Sequence, residues 1–418
     1  MENNKRGNLV LLAGVLFNLS IGVLYAWSVL KTKLTTSISN GGWGWSSTEA
    51  GLPYTMAIVF FAIGLLIGGR IQDKIGPRWV VTTGGALIGL GMILSGYVGN
   101  SVTGITICFG IITGIGIGLG YGCVSPPALK WFHPSKKGLV SGLIVGGFGI
   151  APVYFAPTMN VLLNNFGIQK SLLFMGIAVV AISIPIAQLI KNPPTGYTPP
   201  MPKNLKQTAT AKTSVDVTWR KMVKTKQFYL LFIMFLLSSS VGLMIIGNMS
   251  KIAKTQIGIC DTALLAILVS FLAITNTAGR VFGGLMSDKI GRVNALFVVF
   301  ALQALNMVGF VFFQSLPALI IGIILVGFCY GTLLSVFPSI TADLYGLKNY
   351  GTNYGVLYLA WGLAGVVAPI AADIIFDING NFHAAYVVAA IMMASMVGVN
   401  VLFRKTNKTA LVFEAGSH

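Results

Sequence analysis

Charged residues are scarce in this sequence. Only 9% of its 418 residues are charged, and the ten acidic residues are outnumbered by 28 basic ones. The mean hydropathy is +0.81. A water-soluble chain of this length needs a far more polar surface, so the composition excludes an ordinary soluble fold and predicts a protein solvated by lipid.

Cysteine and histidine are also few, and their positions exclude several kinds of site. The three histidines do not cluster, and the four cysteines lie in or beside apolar runs, at Cys108, Cys123, Cys260 and Cys329. This scatter excludes a disulfide framework and shows no metal-ligand spacing. The sequence also shows no nucleophile–base pair within its apolar runs. We therefore expect no catalytic residue, no metal and no cofactor, and we do not expect an enzyme.

Long apolar runs are abundant. A helix needs about 20 mostly apolar residues to cross the ~30 Å hydrocarbon core of a bilayer. Twelve such runs, numbered here as spans 1 to 12, begin near Leu9, Ala50, Trp79, Gly104, Leu139, Ser171, Phe228, Thr262, Val293, Ala318, Thr352 and Ala384. Span 1 is too long for a signal peptide and lacks a clear cleavage site. We predict an all-α integral membrane protein with twelve transmembrane helices.

The net charge of +18 is unevenly placed along the chain. If both termini lie in the cytoplasm, the inside segments hold 22 of the 28 basic residues and the outside segments hold five. This asymmetry follows the positive-inside rule, so the basic residues indicate orientation in a membrane and not binding to nucleic acid. We expect a multi-pass protein of the cell inner membrane with both termini in the cytoplasm.

Two motifs occur once in each half of the chain. GGRIQDKIGPR between spans 2 and 3 returns as GGLMSDKIGR between spans 8 and 9, with Asp73 and Asp288 215 residues apart. GLGYG in span 4 returns as GFCYG in span 10. Parallel repeats joined by a central loop are typical of transporters whose halves rock about a site between them. We predict six-helix bundles over residues 1–190 and 228–408, a cytoplasmic linker over 191–227, and a tail over 409–418 whose GSH ending is typical of a cloning remnant.

The repeated DKIG turn suggests a conformational latch. Glycines before the aspartate let two helices approach closely, and the carboxylate can cap or pair near the end of a neighbouring helix. The basic residues that follow hold the turn at an anionic membrane surface. A membrane anchor is the simpler interpretation, but two copies at matched positions favour a latch. Its predicted residues are Asp73, Lys74, Arg78, Asp288, Lys289 and Arg292.

One basic residue, Arg280, lies inside a span. It precedes Asp288 by eight residues, or ~12 Å of helix, which places it near mid-depth. A charged residue there costs roughly 2.5–3.5 kcal/mol. The sequence places all ten acids in loops, tails or span ends, so we expect a carboxylate substrate to pair with the guanidinium. The alternative is an arginine whose side chain reaches the cytoplasmic headgroups.

Other residues are candidates for the same binding site. Asn276 lies one turn before Arg280 on the same helix face, where it could bond a substrate oxygen or bridge two helices. Tyr121 and Tyr330 are the matched tyrosines of the second repeated motif. The predicted substrate-binding residues are Arg280, Asn276, Tyr121, Tyr330, Tyr358, Tyr25, Phe148 and Trp361.

The repeated G-x-x-x-D-K-x-G-x-R turn resembles the signature loop of the major facilitator superfamily. This resemblance implies two pseudo-symmetric six-helix bundles. WFHPSKKGLVSGLIVGG, VFPSITADLYG and NYGVLYLAWGLAG further resemble the branch of monocarboxylate transporters and oxalate:formate antiporters, including bacterial L-lactate transporters. Arg280 falls where both groups carry an essential arginine, and the aromatic candidates fall where the antiporter lines its cavity.

Two departures from this branch refine the expected function. The antiporter has a lysine where this chain has Trp361, and a single cation suits a monocarboxylate better than a dianion such as oxalate. Animal monocarboxylate transporters carry an aspartate where this chain has Asn276, which leaves their proton relay without its acid. We expect a carrier for small monocarboxylates such as L-lactate or pyruvate, with proton symport implied by the resemblance, working as a monomer in the lipid bilayer. Anion exchange of the oxalate:formate type is the alternative.

Overall fold

The computed structural model describes residues 2–200, 216–259 and 261–415. Within these ranges, the side chains of residues 2–4, 25, 26, 262, 263, 266 and 407–415 are not described. The described residues form helices and connecting turns, without a strand, and the predicted all-α architecture is confirmed.

The helices of the first sequence half follow the predicted spans closely. They are α1 (Glu2–Ser20), α2 (Trp27–Thr35), α3 (Ser47–Ile75), α4 (Pro77–Tyr97), α5 (Val102–Ile105), α6 (Gly114–Trp131), α7 (Lys137–Ile150) and α8 (Pro152–Ala187). A 3-10 helix over Gly22–Ala26 joins α1 to α2, and a π-helical segment over Thr106–Thr113 joins α5 to α6.

The second sequence half continues this pattern. Its helices are α9 (Trp219–Met222), α10 (Lys226–Ile257), α11 (Thr262–Ala278), α12 (Gly284–Ile290), α13 (Arg292–Phe312), α14 (Leu316–Tyr345), α15 (Tyr350–Asn379) and α16 (His383–Ala415). A π-helical turn over Gly279–Gly283 joins α11 to α12, so span 8 is continuous through Arg280.

Eleven stretches of the described chain are long and apolar enough to cross a membrane. One of them, Pro134–Ala187, has 54 residues and would extend ~81 Å as a straight helix, far more than one crossing needs. It is broken at Gly167, whose φ of 72° and ψ of 178° are not helical. This stretch therefore accounts for both span 5 and span 6, and the count agrees with twelve predicted spans.

Local sequence signals explain where helices begin and end. A capping box between Ser46 and Glu49 begins α3, because each side chain bonds the other residue's backbone N–H. The glycine of each DKIG turn, Gly76 and Gly291, has φ of 89° and ends the preceding helix. Only glycine adopts that backbone region at low cost, so the repeated sequence produces a repeated turn geometry.

By their contacts, the described residues fall into two compact units. The first unit comprises Met1–Pro134, Leu143–Asp216 and Leu344–Gly362. The second unit comprises Ser135–Gly142, Val217–Asp343 and Leu363–His418. Each unit thus includes a short segment from the other sequence half, while the predicted boundaries at residues 190 and 228 stay a prediction.

Candidate functional site

Arg280 lies within the π-helical turn Gly279–Gly283 of the second unit. The residue is only 1% exposed, and it is among the largest fully buried side chains of the described chain. Single π turns inside α-helices occur frequently at functional sites, because the wider turn re-aims the side chains that it carries. The alternative was a snorkelling side chain that reaches the headgroups, and a residue only 1% exposed does not fit it.

Asn276 is a side-chain partner of Arg280. Nε of Arg280 donates to Oδ1 of Asn276 at 2.9 Å, one helical turn apart, and Asn276 is 5% exposed. This bond fixes one edge of the planar guanidinium. The opposite edge carries Nη1 and Nη2, the atoms that bind a carboxylate through two parallel hydrogen bonds in bidentate pairs.

Glycines on two other helices contact the backbone around Arg280. A Cβ on Gly331 of α14 would lie 2.0 Å from the Asn276 carbonyl oxygen and 2.9 Å from the Arg280 nitrogen. A Cβ on Gly142 of α7 would lie 2.1 Å from the Arg280 carbonyl oxygen. These approaches are possible only without a side chain, so the residue types of α7 and α14 place Arg280.

Tyr330 of the second unit is buried, at 4% exposed. Its ring packs against Gly242 of α10, where an added Cβ would lie 2.3 Å from Cδ2 of the tyrosine. The predicted role of Tyr330 in binding stays a prediction. The side chain of Tyr25, another predicted residue, lies outside the described part of the structure.

The first unit contains a cluster of five aromatic side chains, called here the aromatic cluster. It comprises Phe61, Tyr121, Phe148, Tyr358 and Trp361, with ring centroids 4.9–6.1 Å apart in neighbouring pairs. All five are at most 8% exposed. The structure therefore brings together four predicted residues from spans 4, 5 and 11.

Phe61 is the member of this cluster that the sequence analysis missed. Its ring contacts each of the other four, including Tyr121 and Trp361 at 5.3 Å. The offset of 215 residues between Asp73 and Asp288 maps Asn276 onto Phe61 and Arg280 onto Leu65. Matched positions of the two repeats thus carry an aromatic and an aliphatic residue in one copy and a polar pair in the other. This offset was the signal that could have identified Phe61.

Asp73, at the end of α3, caps the start of α15. Its carboxylate accepts hydrogen bonds from the backbone N–H groups of Gly351 at 3.1 Å and Thr352 at 2.8 Å, and from the Thr352 hydroxyl at 2.8 Å. The first N–H groups of a helix have no partner within the helix, and a negative charge there also complements the helix dipole. Gly69 permits the contact, because a Cβ there would lie 2.0 Å from the Gly351 carbonyl oxygen.

Asp288, at the end of α12, caps the start of α7 in the same way. It accepts hydrogen bonds from the N–H groups of Gly138 and Leu139, both at 2.8 Å. A Cβ on Gly284 would lie 2.2 Å from the Gly138 carbonyl oxygen. Each aspartate therefore binds a helix start that belongs to the other sequence half, four residues after a glycine that permits close approach.

The basic residues of the two turns differ in their partners. Arg292 forms a salt bridge with Asp288 and another with Asp343, at 3.0 Å, and Asp343 also binds Lys137 at 2.9 Å. Arg78 instead donates to Gln188 at 2.6 Å. Its turn contains one additional residue, a proline, so this arginine follows its aspartate by five residues and not by four.

Lys74 and Lys289, the remaining predicted latch residues, are exposed. Their positions agree with the predicted contact to a membrane surface, whereas both aspartates and Arg292 form the described contacts between helices. In the second turn the basic residues therefore divide into a largely buried Arg292 and an exposed Lys289, whereas Lys74 and Arg78 of the first turn are both exposed.

Comparison with known families gives one clear result. The profile of the Major Facilitator Superfamily matches residues 9–316 and 244–417, which together span nearly the whole chain. The predicted family resemblance is confirmed.

Several transporters of this superfamily are similar over most of their length. The oxalate:formate antiporter of Oxalobacter formigenes is 28% identical over 348 residues, covering 82% of this chain and 79% of that protein. Monocarboxylate transporter 13 of Rattus norvegicus is 25% identical over 349 residues, covering 82% and 77%. The MFS-type transporter YhjX of Escherichia coli, whose function is uncharacterised, is 27% identical over 353 residues, covering 82% of each.

Two solved structures share the fold. The transporter FucP in its outward conformation superposes with a TM-score of 0.68 at 14% identity, covering 95% of this chain and 98% of that one. The human organic anion transporter MFSD10 gives a TM-score of 0.70 at 13% identity, covering 95% and 99%. The predicted major facilitator fold is confirmed by these similarities.

Proposed function

The chain belongs to the major facilitator superfamily, and from this premise we propose that it is a secondary carrier of small monocarboxylates that works by alternating access. L-lactate and pyruvate are the substrates that the proposal names. The relatives that transport monocarboxylates or exchange oxalate for formate support this choice of substrate class.

The observation that carries the proposal is the buried Arg280–Asn276 pair. A cation at mid-depth of a membrane helix is costly and is found mainly where function requires it. Because Asn276 holds Nε at 2.9 Å, the guanidinium is oriented before substrate arrives. A carboxylate is the anion whose two oxygens match the terminal nitrogens of an oriented guanidinium. In this proposal, Arg280 binds the carboxylate and Asn276 positions it.

The position of Trp361 supports a substrate with one negative charge. The resemblance to oxalate:formate antiporters leads one to expect a lysine there, which would add a second cation. In this chain the position holds an indole, packed 4.9 Å from Tyr358 and 5.3 Å from Phe61. We assign the aromatic cluster a separate role, the selection of acids by the length and shape of their apolar part.

The two capped helix starts support the predicted latch. Each contact joins residues from both sequence halves, so any rocking movement that separates those helix ends must break it. The contacts are hydrogen bonds between a carboxylate and backbone N–H groups, which are strong enough to favour one state and reversible. We propose that they open and close during the transport cycle.

The proposal also includes proton symport across the inner membrane. It places both termini in the cytoplasm and takes the monomer as the working form. The distribution of basic residues along the chain supports the orientation. The similarity to monocarboxylate transporters supports proton symport. Anion exchange is the second candidate, favoured by the 28% identity to the oxalate:formate antiporter.

Uptake into liposomes tests the mode of transport. Purified protein should accumulate L-lactate when a pH gradient is imposed across anion-free vesicles. Uptake that occurs only with an anion on the opposite side would replace symport with exchange.

Substitution of Arg280 tests the binding role. Arg280→Lys keeps the charge but loses the two-point hydrogen bonding, so affinity for L-lactate and pyruvate should fall about tenfold or more. Arg220→Lys, at an exposed arginine in α9, is the matched control and should bind normally. Unchanged affinity in Arg280→Lys would remove Arg280 from the site and defeat the proposal.

A further inference from the structure

A hydroxyl that no sequence motif indicated contacts the turn that carries Arg280. Thr332, on α14 in the second unit, is fully buried. Its Oγ1 lies 3.2 Å from the carbonyl oxygen of Gly279 and 2.8 Å from that of Phe328, so its single hydrogen can serve either acceptor. The Phe328 bond is local to α14, whereas the Gly279 bond crosses to span 8 at the residue that precedes Arg280.

The same side chain also contacts the last residue of the π turn. A Cβ on Gly283 would lie 2.1 Å from Oγ1 and 2.5 Å from Cγ2 of Thr332. Thr332 therefore touches both Gly279 and Gly283, the first and last residues of the turn.

The turn determines where Arg280 points. A π turn holds one extra residue compared with an α-helical turn, and one residue corresponds to a rotation of about 100° around the helix. If the turn relaxed to α-helix, Arg280 would change direction relative to the residues that follow it. A side chain that stabilises the wide turn thus stabilises the direction of the guanidinium.

The first sequence half provides an internal comparison. The offset of 209 residues between Tyr121 and Tyr330 maps Thr332 onto Cys123. A Cβ on Gly68, the counterpart of Gly283, would lie 3.2 Å from Sγ of Cys123. At this matched place the span is continuous α-helix, Ser47–Ile75, and the counterpart of Arg280 is Leu65. The hydroxyl and the π turn therefore occur together, in the half that carries Arg280.

We propose that Thr332 is a positioning residue for Arg280: its hydroxyl holds the π turn that directs the guanidinium toward the carboxylate of the substrate. This inference rests on the proposed function, because it assigns a supporting residue to the same site. Thr332 acts through the backbone of span 8 and need not touch the substrate.

Three variants test this role by binding of L-lactate to the purified protein. Thr332→Val removes the hydroxyl at constant shape, and Thr332→Ser retains it. Thr341→Val is the matched control, since Thr341 is equally buried on α14 and its hydroxyl donates to Phe337 of its own helix at 2.7 Å. We expect Thr332→Val to weaken binding about fivefold, as loss of one hydrogen bond would, and Thr332→Ser and Thr341→Val to bind within about twofold of wild type.

A double-substitution cycle separates positioning from general destabilisation. Arg280→Lys removes the pair of hydrogen bonds to the substrate carboxylate. In that background, adding Thr332→Val should reduce the affinity little further. Amide hydrogen exchange across residues 279–284 should be faster in Thr332→Val and unchanged in Thr341→Val, whether or not L-lactate is the native acid. If Thr332→Val does not fold, Thr332→Cys, the residue that the first half carries, takes its place with an intermediate loss expected.

The outcomes distinguish this inference from the proposed function. Loss of binding in Arg280→Lys without any loss in Thr332→Val would overturn the inference alone. Normal binding in Arg280→Lys would overturn the proposed function, and the exchange measurement would then decide whether Thr332 holds the turn. Equal, additive losses in the wild-type and Arg280→Lys backgrounds would also contradict positioning.

Discussion

Asp73 and Thr352 are 279 positions apart in the chain, yet two hydrogen bonds of 2.8 Å join them. One comes from the backbone N–H of Thr352 and the other from its hydroxyl. The acid belongs to the first sequence half and the helix start to the second. The contact therefore ties the two halves through groups that the helix itself leaves unpaired.

Replacing this acid by its amide should loosen the start of α15. Asp73→Asn loses the negative charge and one of the two acceptor oxygens, at a cost of about 1–3 kcal/mol. Amide exchange at Gly351 and Thr352 should become faster. Glu49→Gln is the matched control on the same helix, because the Glu49 carboxylate accepts bonds of 2.8 Å from its near neighbour Ser46 and should leave that exchange unchanged. Protection of Gly351 and Thr352 equal to wild type would show that Asp73 does not hold this contact.

The equivalent substitution in the second turn should be more damaging. Asp288 caps α7 and also pairs with Arg292, and the two side chains are 9% and 11% exposed. Removing one partner of a buried ion pair costs up to about 3–5 kcal/mol, and here the remaining Arg292–Asp343 salt bridge offsets part of that cost. Thermal unfolding in detergent should therefore begin at a lower temperature in Asp288→Asn than in Asp73→Asn. The reverse order would contradict the importance assigned to the Arg292 network.

A methyl group at Gly69, where α3 and α15 approach closely, should interfere with transport. Gly69→Ala would place a carbon 2.0 Å from the Gly351 carbonyl oxygen, so α3 and α15 must separate. We expect the apparent stability and the rate of substrate uptake to fall together. Gly398→Ala, on α16 where an added Cβ meets nothing within 4 Å, should be neutral or slightly stabilising. Wild-type uptake by Gly69→Ala would show that close approach is not required.

A lysine in the aromatic cluster should change the preferred charge of the substrate. Trp361→Lys adds a second cation, which under the proposed function should raise the affinity for oxalate relative to L-lactate about fivefold or more. Trp361→Met removes the indole without adding charge and should not produce this shift. Competition by oxalate against labelled L-lactate provides the measurement. An unchanged ratio in Trp361→Lys would argue against selection by charge matching.

The sequence alone was sufficient for the architecture. Hydrophobic runs of about 20 residues specify membrane helices because lipid offers no partner for backbone groups outside a helix. The repeated turn showed the duplication, and the position of Arg280 in span 8 followed from helical rise. These features depend on local composition and on spacing along one helix. Both can be read from the sequence without knowing which helices pack together.

Contacts between distant segments came only from the tertiary structure. Thr332 and Gln188 gave no signal, because a hydroxyl or an amide in an apolar span has many possible neighbours, and Phe61 was indicated only by the offset between the repeats. The π turn at Gly279–Gly283 likewise had no signal in the sequence. The sequence predicted a cation within span 8. The packing of glycines and one threonine from other helices decided how that cation is held, because those approaches are set by helix–helix contact and not by order along the chain.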